Sequence, residues 1–465
     1  MRLIRESGRA VVAALAVVAL AALPACNDVK NNLLEAPDPD IIDPSAVQSQ
    51  AGANAVRVGA LSRLRTITGG GESTWLFGGL LVDEWSTSST FVQNDETDER
   101  SISLSNGTIT TEIRGLYRVR TSANQAIRLL NQYKPTPQSD LGEMYFARGF
   151  AEMQLAQDFC NGIPLSDASG DEIVYGKPLT LDEVFAVAVA SFDSAIALST
   201  GSDAASVAVN RAARIGKARA LLGMNKPAEA AAVVSAIPTS YTYDVTYSLT
   251  GGTNTIWGQG ASARRYTVGD SLEGNAHNLL VKNAIPFFSA KDPRVPVVYT
   301  TQNSGKDTVK SQDGLTYSRT TTLYGQLTAT AVVNGIDARF VEAEAALRAG
   351  SPATMISILN GLRSASQTIG SITIAANQLP PLTDPGTADG RINLLFRDKA
   401  FWTFSRGQRL GDLRRLIRQY GRTQENVFPV GTHYRGGTYG TDVNLPVVQD
   451  ETNNLNFSNC LDRKA

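Results

Sequence analysis

The 465-residue chain is predicted to be mainly α-helical: a scaffold of helical hairpins carrying a loop-rich lobe that contains few short strands. Three features of the sequence predict this. Apolar residues recur at helical spacing over several well-separated stretches, small residues crowd the facing sides of consecutive helices, and two long intervening stretches lose the helical period altogether.

The helical period predicts helices over 46–66, 108–132, 141–158, 181–198, 207–223, 226–236, 334–349, 352–366, 389–404 and 408–420. Two stretches define the hairpin design. Ala212, Ala213, Ala218 and Ala220, with Leu221 and Leu222, form a small-residue face that ends in the turn Gly223-Met224-Asn225-Lys226-Pro227 before a second helix opens. Ala338, Ala343, Ala345 and Leu347 repeat it, followed by Gly350-Ser351-Pro352 and then Ile356, Leu359 and Leu362. Small residues at helical spacing let two helices approach closely, and these units are similar to tetratricopeptide hairpins, though too degenerate for a regular array. Residues 69–111 and 239–325 are instead rich in Thr, Ser, Gly, Asn and aromatic residues. They read as strands and long loops, and long structured loops on a rigid scaffold are the candidate binding surface.

At the N-terminus Arg2, Arg5 and Arg9 precede an apolar run from Ala10 to Leu23. That run is shorter than the roughly 20 residues a helix needs to span a bilayer, so residues 1–25 read as an export signal. It ends in Leu23-Pro24-Ala25-Cys26, which resembles a bacterial lipobox and makes Cys26 the expected lipid-modified first residue of the mature chain. Residues 26–44, rich in Pro, Asp and Asn, read as a flexible tether, and 45–465 as the folded domain. Export leaves Cys160 and Cys460 in a compartment that permits disulfides, where they either bridge or remain two buried thiols.

Composition narrows the function. Lys plus Arg total 43 against 44 Asp plus Glu, so the chain is no globally basic nucleic-acid binder. Two His and three Cys leave no expected metal site, and no cofactor is expected either. The sequence lacks a nucleophile elbow, a phosphate-binding loop, a dinucleotide fingerprint and a His-Glu-x-x-His motif, so no catalytic residue is assigned. Between Arg397 and Arg422, eight basic residues interleave with Phe401, Trp402, Phe404, Leu410, Leu413, Leu416 and Ile417. Such interleaving reads as guanidinium groups tying helices together rather than as a nucleic-acid patch.

Four segments together resemble the SusD/RagB family of surface lipoproteins, which work beside TonB-dependent transporters in nutrient uptake. They are Gly142 to Ala151 running on to Asp158-Phe159-Cys160-Asn161-Gly162-Ile163-Pro164-Leu165; Asp337 to Ala345 with its Ala343-Glu344-Ala345 core; Leu394 to Arg415; and Asn426-Val427-Phe428-Pro429-Val430 with Asn444-Leu445-Pro446. The third is the most specific. Asp398 and Ser405 stand where the family usually has glutamates, and Asn161 where its turn has Asp. The resemblance implies a SusD-like fold and a non-catalytic, lipid-anchored outer-membrane protein. It would bind an oligosaccharide or other small polymer and deliver it to a SusC-like TonB-dependent transporter. The rival expectations are a periplasmic tetratricopeptide adaptor for protein partners and a secreted glycoside hydrolase.

Sugars bind on aromatic faces ringed by amides, carboxylates and Arg. Trp75, Asp83, Trp85, Phe91, Asn94 and Asp95 supply that mixture in the first loop-rich stretch, with core packing as the competing role for the two tryptophans. Trp257, Arg264, Arg265, Tyr266 and His277 form a second set in the other stretch. The expected consequence of the lipobox is direct: Cys26→Ser moves the full-length protein from the membrane pellet to the soluble fraction. Retention in the pellet would remove the lipid anchor.

Overall fold

A computed structural model describes residues 47–69, 73–170, 172–273, 279–447, 451 and 453–465. The signal segment 1–25, Cys26, the tether 26–44 and His277 therefore lie outside the described residues. The chain divides into two compact units, Met1–Gly52 and Ala53–Ala465. Of the first, the described residues 47–52 include the start of a helix; all that follows concerns the second.

The long helices are α1 (Gln50–Gly69), α2 (Thr74–Leu80), α3 (Val92–Asp98), α4 (Gly107–Tyr133), α5 (Gln138–Asp158), α6 (Leu181–Leu198), α7 (Ala204–Gly223), α8 (Pro227–Val234), α9 (Gly335–Arg348), α10 (Pro352–Ser364), α11 (Ala388–Trp402) and α12 (Arg409–Tyr420). Each of the ten stretches expected to be helical is helical, with ends shifted by a few residues. The additions are α2 and α3, inside a stretch read as loop. Every residue of α2 is buried, so it has no polar face to betray a helical period, while α3 (VQNDETD) has no apolar stripe. Local chemistry sets the starts. The Asn106 side chain accepts from Thr108 and Ile109 N–H, Thr180 with Glu183 and Asn334 with Asp337 form capping boxes, and Pro227 and Pro352 open α8 and α10.

Neighbouring helices pack in sequence order, α4 on α5, α5 on α6, α6 on α7, α7 on α8 and α9 on α10, with α8 also against α9. Small residues make this close packing possible: a Cβ at Gly216 would lie 2.4 Å from the Phe192 ring. The strands are short antiparallel pairs. Trp85–Thr87 pairs with Tyr266–Val268, Thr242–Val245 with Thr330–Asn334, Val297–Tyr299 with Arg319–Thr321, and Gln367–Ile369 with Ile372–Ile374. The first pairing joins the two loop-rich stretches into one lobe.

Five of the eight basic residues in the Arg-rich segment, Lys399, Arg406, Arg409, Arg414 and Arg415, are buried among its aromatic side chains, while Arg397 and Arg418 are exposed. Arg406 donates two 2.8 Å bonds to Asp337, which also accepts from Gln408 and from the Asn334 backbone, while Arg406 Nε reaches the Ala331 carbonyl. Arg415 bridges Glu344 and Asp412, Lys399 donates to Asp412, and Arg414 donates to the carbonyls of Ala156 and Gln157 at the end of α5. The departures from the family pattern have partners of their own. Asp398 receives Arg294 and Arg363, the Ser405 hydroxyl accepts from Trp85 Nε1, and Asn161 bonds Asp462 and the Leu181 N–H. Cys160 and Cys460 are disulfide-bonded, with Cα atoms 6.1 Å apart, closing a loop across 300 residues.

Removing one partner of a buried ion pair strands the other charge, at a cost of about 3–5 kcal/mol. Asp337→Ala should therefore lower the urea midpoint of unfolding by that equivalent. A wild-type midpoint would mean Arg406 is satisfied without it.

Candidate functional site

The paired strands Trp85–Thr87 and Tyr266–Val268 are the centre of the loop-rich lobe, and both tryptophans expected on its surface lie beneath it. Trp85 is fully buried against Phe404 (centroids 5.3 Å) and Tyr266 (6.4 Å). Trp75 is fully buried beside Phe150, where a Cβ on Gly407 would lie 2.0 Å from its ring. Asp83, Asn94 and Tyr266 are buried as well. These five residues offer no face to a ligand, which corrects the expectation that placed them in the binding surface. Large rings at a loop-lobe boundary remove more area from water in the core than on a rim, and here the core takes them. Phe91, Trp257 and Arg265 do reach the surface: Phe91 is 41% exposed with the Arg265 guanidinium 4.7 Å above its ring, and Trp257 is half-buried.

A richer aromatic face lies on the neighbouring pair of strands. Tyr299 and Tyr317, 37% and 46% exposed, have centroids 6.3 Å apart, and Phe288 is 5.3 Å from Tyr299. Cations cover this row: Lys291 Nζ stands 3.8 Å over Phe288 and Lys310 Nζ 4.2 Å over Tyr317. None of these residues was singled out in the sequence. The rings come from a turn, a strand and a bridged loop with no shared period, and only the pairing of Tyr299 with Arg319 and of Lys310 with Tyr317 lines them up. Arg264 Nη1 donates to the Lys310 carbonyl, so the row and the Phe91–Arg265 stack share one loop framework.

That framework is held by the C-terminal segment. Arg435 donates to Asp95 (2.9 Å) and the Ser89 carbonyl (2.8 Å) and also bonds Asp313, tying the chain beside Phe91 to the turn before Tyr317. Tyr434 donates to the Thr87 carbonyl, and the Asp313 N–H to the Ser88 carbonyl. His433 sits 3.1 Å from Asp98. No sequence signal pointed to residues 433–435, because their partners are more than 100 positions away.

Under the lobe, carboxylates collect in the interior. Burial pushes Glu84 up to about 8 and Glu273 to about 7, the latter also raised by Asp98. Asp83, held at positive φ with neither carboxylate oxygen hydrogen-bonded among the described residues, is raised by burial and then by Glu273 and Asp98, against the pull of Arg409 and Arg100. Burial opposes the charged form of His433, yet its bond to Asp98 and the nearby acids outweigh this and raise its pKa. Among the described residues no cluster of His, Cys, Asp and Glu could hold a metal ion, and no helix is long and apolar enough to cross a membrane.

This architecture has close parallels among solved structures. A SusD-like carbohydrate-binding protein from Bacteroides fragilis matches with a TM-score of 0.62 at 14% identity, over 88% of this chain and 98% of the other. The fold is SusD-like. Bacteroides fragilis NanU matches at 0.59 and 14% identity over 91% and 100% of the two chains. Surface glycan-binding protein A from Bacteroides uniformis matches at 0.57 and 13% over 89% and 99%. No protein-family model matches the chain, and a search of curated proteins finds no significant match.

The raised carboxyls carry a sign. A folded-state pKa above the unfolded value near 4.5 means the native SusD-like lobe holds protons that the unfolded chain has released. That stabilisation is complete below pH 4.5 and is lost as pH rises through about 7 to 8. Thermal stability should therefore fall between about pH 5 and pH 9, and Glu84→Gln, which cannot ionise, should flatten the fall. Parallel slopes for the two proteins would remove Glu84 from the cause.

Proposed function

We propose that this chain is a non-catalytic outer-membrane lipoprotein that binds an oligosaccharide and delivers it to a SusC-like TonB-dependent transporter. The observation that carries the reading is the row formed by exposed Tyr299 and Tyr317 with half-buried Phe288 beside them and Lys291 and Lys310 over the rings, presented by a rigid SusD-like scaffold. Exposed rings flanked by hydrogen-bonding cations suit the alternating C–H and hydroxyl surfaces of a sugar chain. Phe91, Trp257 and Arg265 supply the adjoining contacts. Two of the structural neighbours, a SusD-like carbohydrate-binding protein and a surface glycan-binding protein, support the same ligand class. The export signal and Cys26 support the anchor. A lipid tether would hold the binder beside a pore, where a modest affinity becomes an effectively intramolecular handover.

The enzyme reading finds less support: Asp83, Glu84, Asp98 and Glu273 are buried rather than facing each other across an open cleft. The experiment is glycan-affinity electrophoresis with plant and mucosal polysaccharides, alongside mass spectrometry of proteins that co-purify from the outer membrane. The double variant Tyr299→Ala/Tyr317→Ala should weaken retardation about tenfold with an unchanged Tm, since both rings are exposed. A stoichiometric TonB-dependent transporter should accompany the wild type. Retardation that survives the double variant would move the ligand away from this row, and isolation without a transporter would overturn the delivery role.

A further inference from the structure

A cavity of about 340 Å³ lies outside the aromatic row, between the ribbon of strands Thr242–Val245 and Thr330–Asn334 and the hairpin Gln367–Ile374. The hairpin is fastened to the body by Ser371, whose N–H donates to the Leu323 carbonyl and whose hydroxyl donates to Thr322. Gly370 at its tip packs so closely on the Leu323 carbonyl that a Cβ would lie 2.2 Å from it. The walls are thus set by backbone pairing and close packing rather than by mobile side chains.

The lining is mostly hydroxyl and amide: Ser240, Thr242, Thr368 and Gln367 at the walls, with Tyr324 and Asn334 deeper. Tyr324 is 3% exposed and Asn334 4%. Asn334 spends its Oδ1 on the N–H of Asp337 at the start of α9, which leaves its Nδ2 donor without a partner among the described residues. The Tyr324 hydroxyl likewise makes no hydrogen bond among them. Two donors on side chains that are otherwise nine-tenths buried therefore line the cavity with no protein partner among the described residues, open to a ligand or to solvent.

Charge selects the ligand class. Arg406 lines the cavity, but its guanidinium is bound on two sides by Asp337 and on a third by the Ala331 carbonyl, so it presents no free cation. The uncommitted charge at the opening is Asp244, an acceptor that receives the Thr242 hydroxyl. An anionic ligand would meet that carboxylate, and an apolar one would strand the buried donors. The volume is at the lower end of the roughly 300–1,000 Å³ typical of small-molecule sites. We propose that this cavity is a second binding site, separate from the aromatic row, for a single neutral sugar ring or polyol, with Tyr324 and Asn334 donating to its hydroxyls and Asp244 accepting from them.

The test is saturation-transfer NMR and calorimetry on the whole exported domain with glucose, galactose, mannose and N-acetylglucosamine, and with glucuronate as the anionic comparator. At least one neutral sugar should bind and glucuronate should not. Tyr324→Phe, which deletes one hydroxyl at constant shape, should weaken binding about five- to tenfold with an unchanged Tm. Thr368→Trp at the exposed lip should abolish it by filling the space. Tyr299→Ala/Tyr317→Ala should leave it intact, which separates this site from the proposed glycan face. Absence of binding by all four neutral sugars, equal binding of glucuronate, or binding lost in the Tyr299/Tyr317 variant but kept in both cavity variants would each overturn the proposal.

Discussion

The bidentate pair between Arg406 and Asp337 is the interaction on which the rest of the structure depends. Burial alone would push the Asp337 carboxyl up, but Arg406, Arg219 and Gln408 outweigh it and hold the carboxyl below its usual range. The same aspartate completes the capping box that starts α9, so one side chain fixes a helix start and receives the guanidinium from the segment between α11 and α12, while Arg406 itself braces the ribbon through the Ala331 carbonyl. Around it, Arg415 joins α12 to α9 through Glu344, and Arg414 closes the end of α5. Such buried pairs are weak evidence for net stability. Their service here is positional: they require α5, α9 and α12 to meet in one register.

That register determines where the loop-rich lobe can sit. Gly407, in the same segment, takes positive φ and leaves room only for the Trp75 ring, and Ser405 accepts from the Trp85 indole. The tryptophans are thus the keystones between scaffold and lobe, and their burial frees the outer turns to carry smaller aromatic residues. The outer face of the lobe then carries Tyr299 and Tyr317, brought side by side by strand pairing with Phe288 beside Tyr299, on loops pinned by Arg435.

The interior of the lobe is polar in a manner that a hydrophobic core would not tolerate without compensation. Asp83, Glu84 and Glu273 are displaced toward their neutral forms by burial, while Arg100 and Arg409 spend bonds on backbone carbonyls at Pro429, Asp442 and Val82. Neutral carboxyls and carbonyl-bound guanidinium groups avoid most of the desolvation cost of paired ions. The lobe thereby adds hydrogen bonds between its first loop-rich stretch and the C-terminal segment to the apolar core that runs through both.

The sequence by itself determined ten of the twelve long helices and their order, because small-residue faces, Asn and Thr caps and Pro starts are local signals that act within one or two turns, whereas all-buried α2 and stripe-less α3 carry no such signal. Residues 212–222 and 338–347 were legible as hairpin faces, and the arginines of 397–422 as structural ties, because aromatic residues interleave with them. What only the tertiary structure decided was which side of the lobe each aromatic residue occupies. Trp75 and Trp85 were equally consistent with platform and core until Gly407 and Ser405 were placed against them. The Phe288, Tyr299 and Tyr317 row, the Arg435 clamp and the Tyr324–Asn334 cavity had no signature in the chain. Each is built from residues separated by irregular loops, and burial and alignment there are set by contacts between distant segments, not by any period that one segment carries.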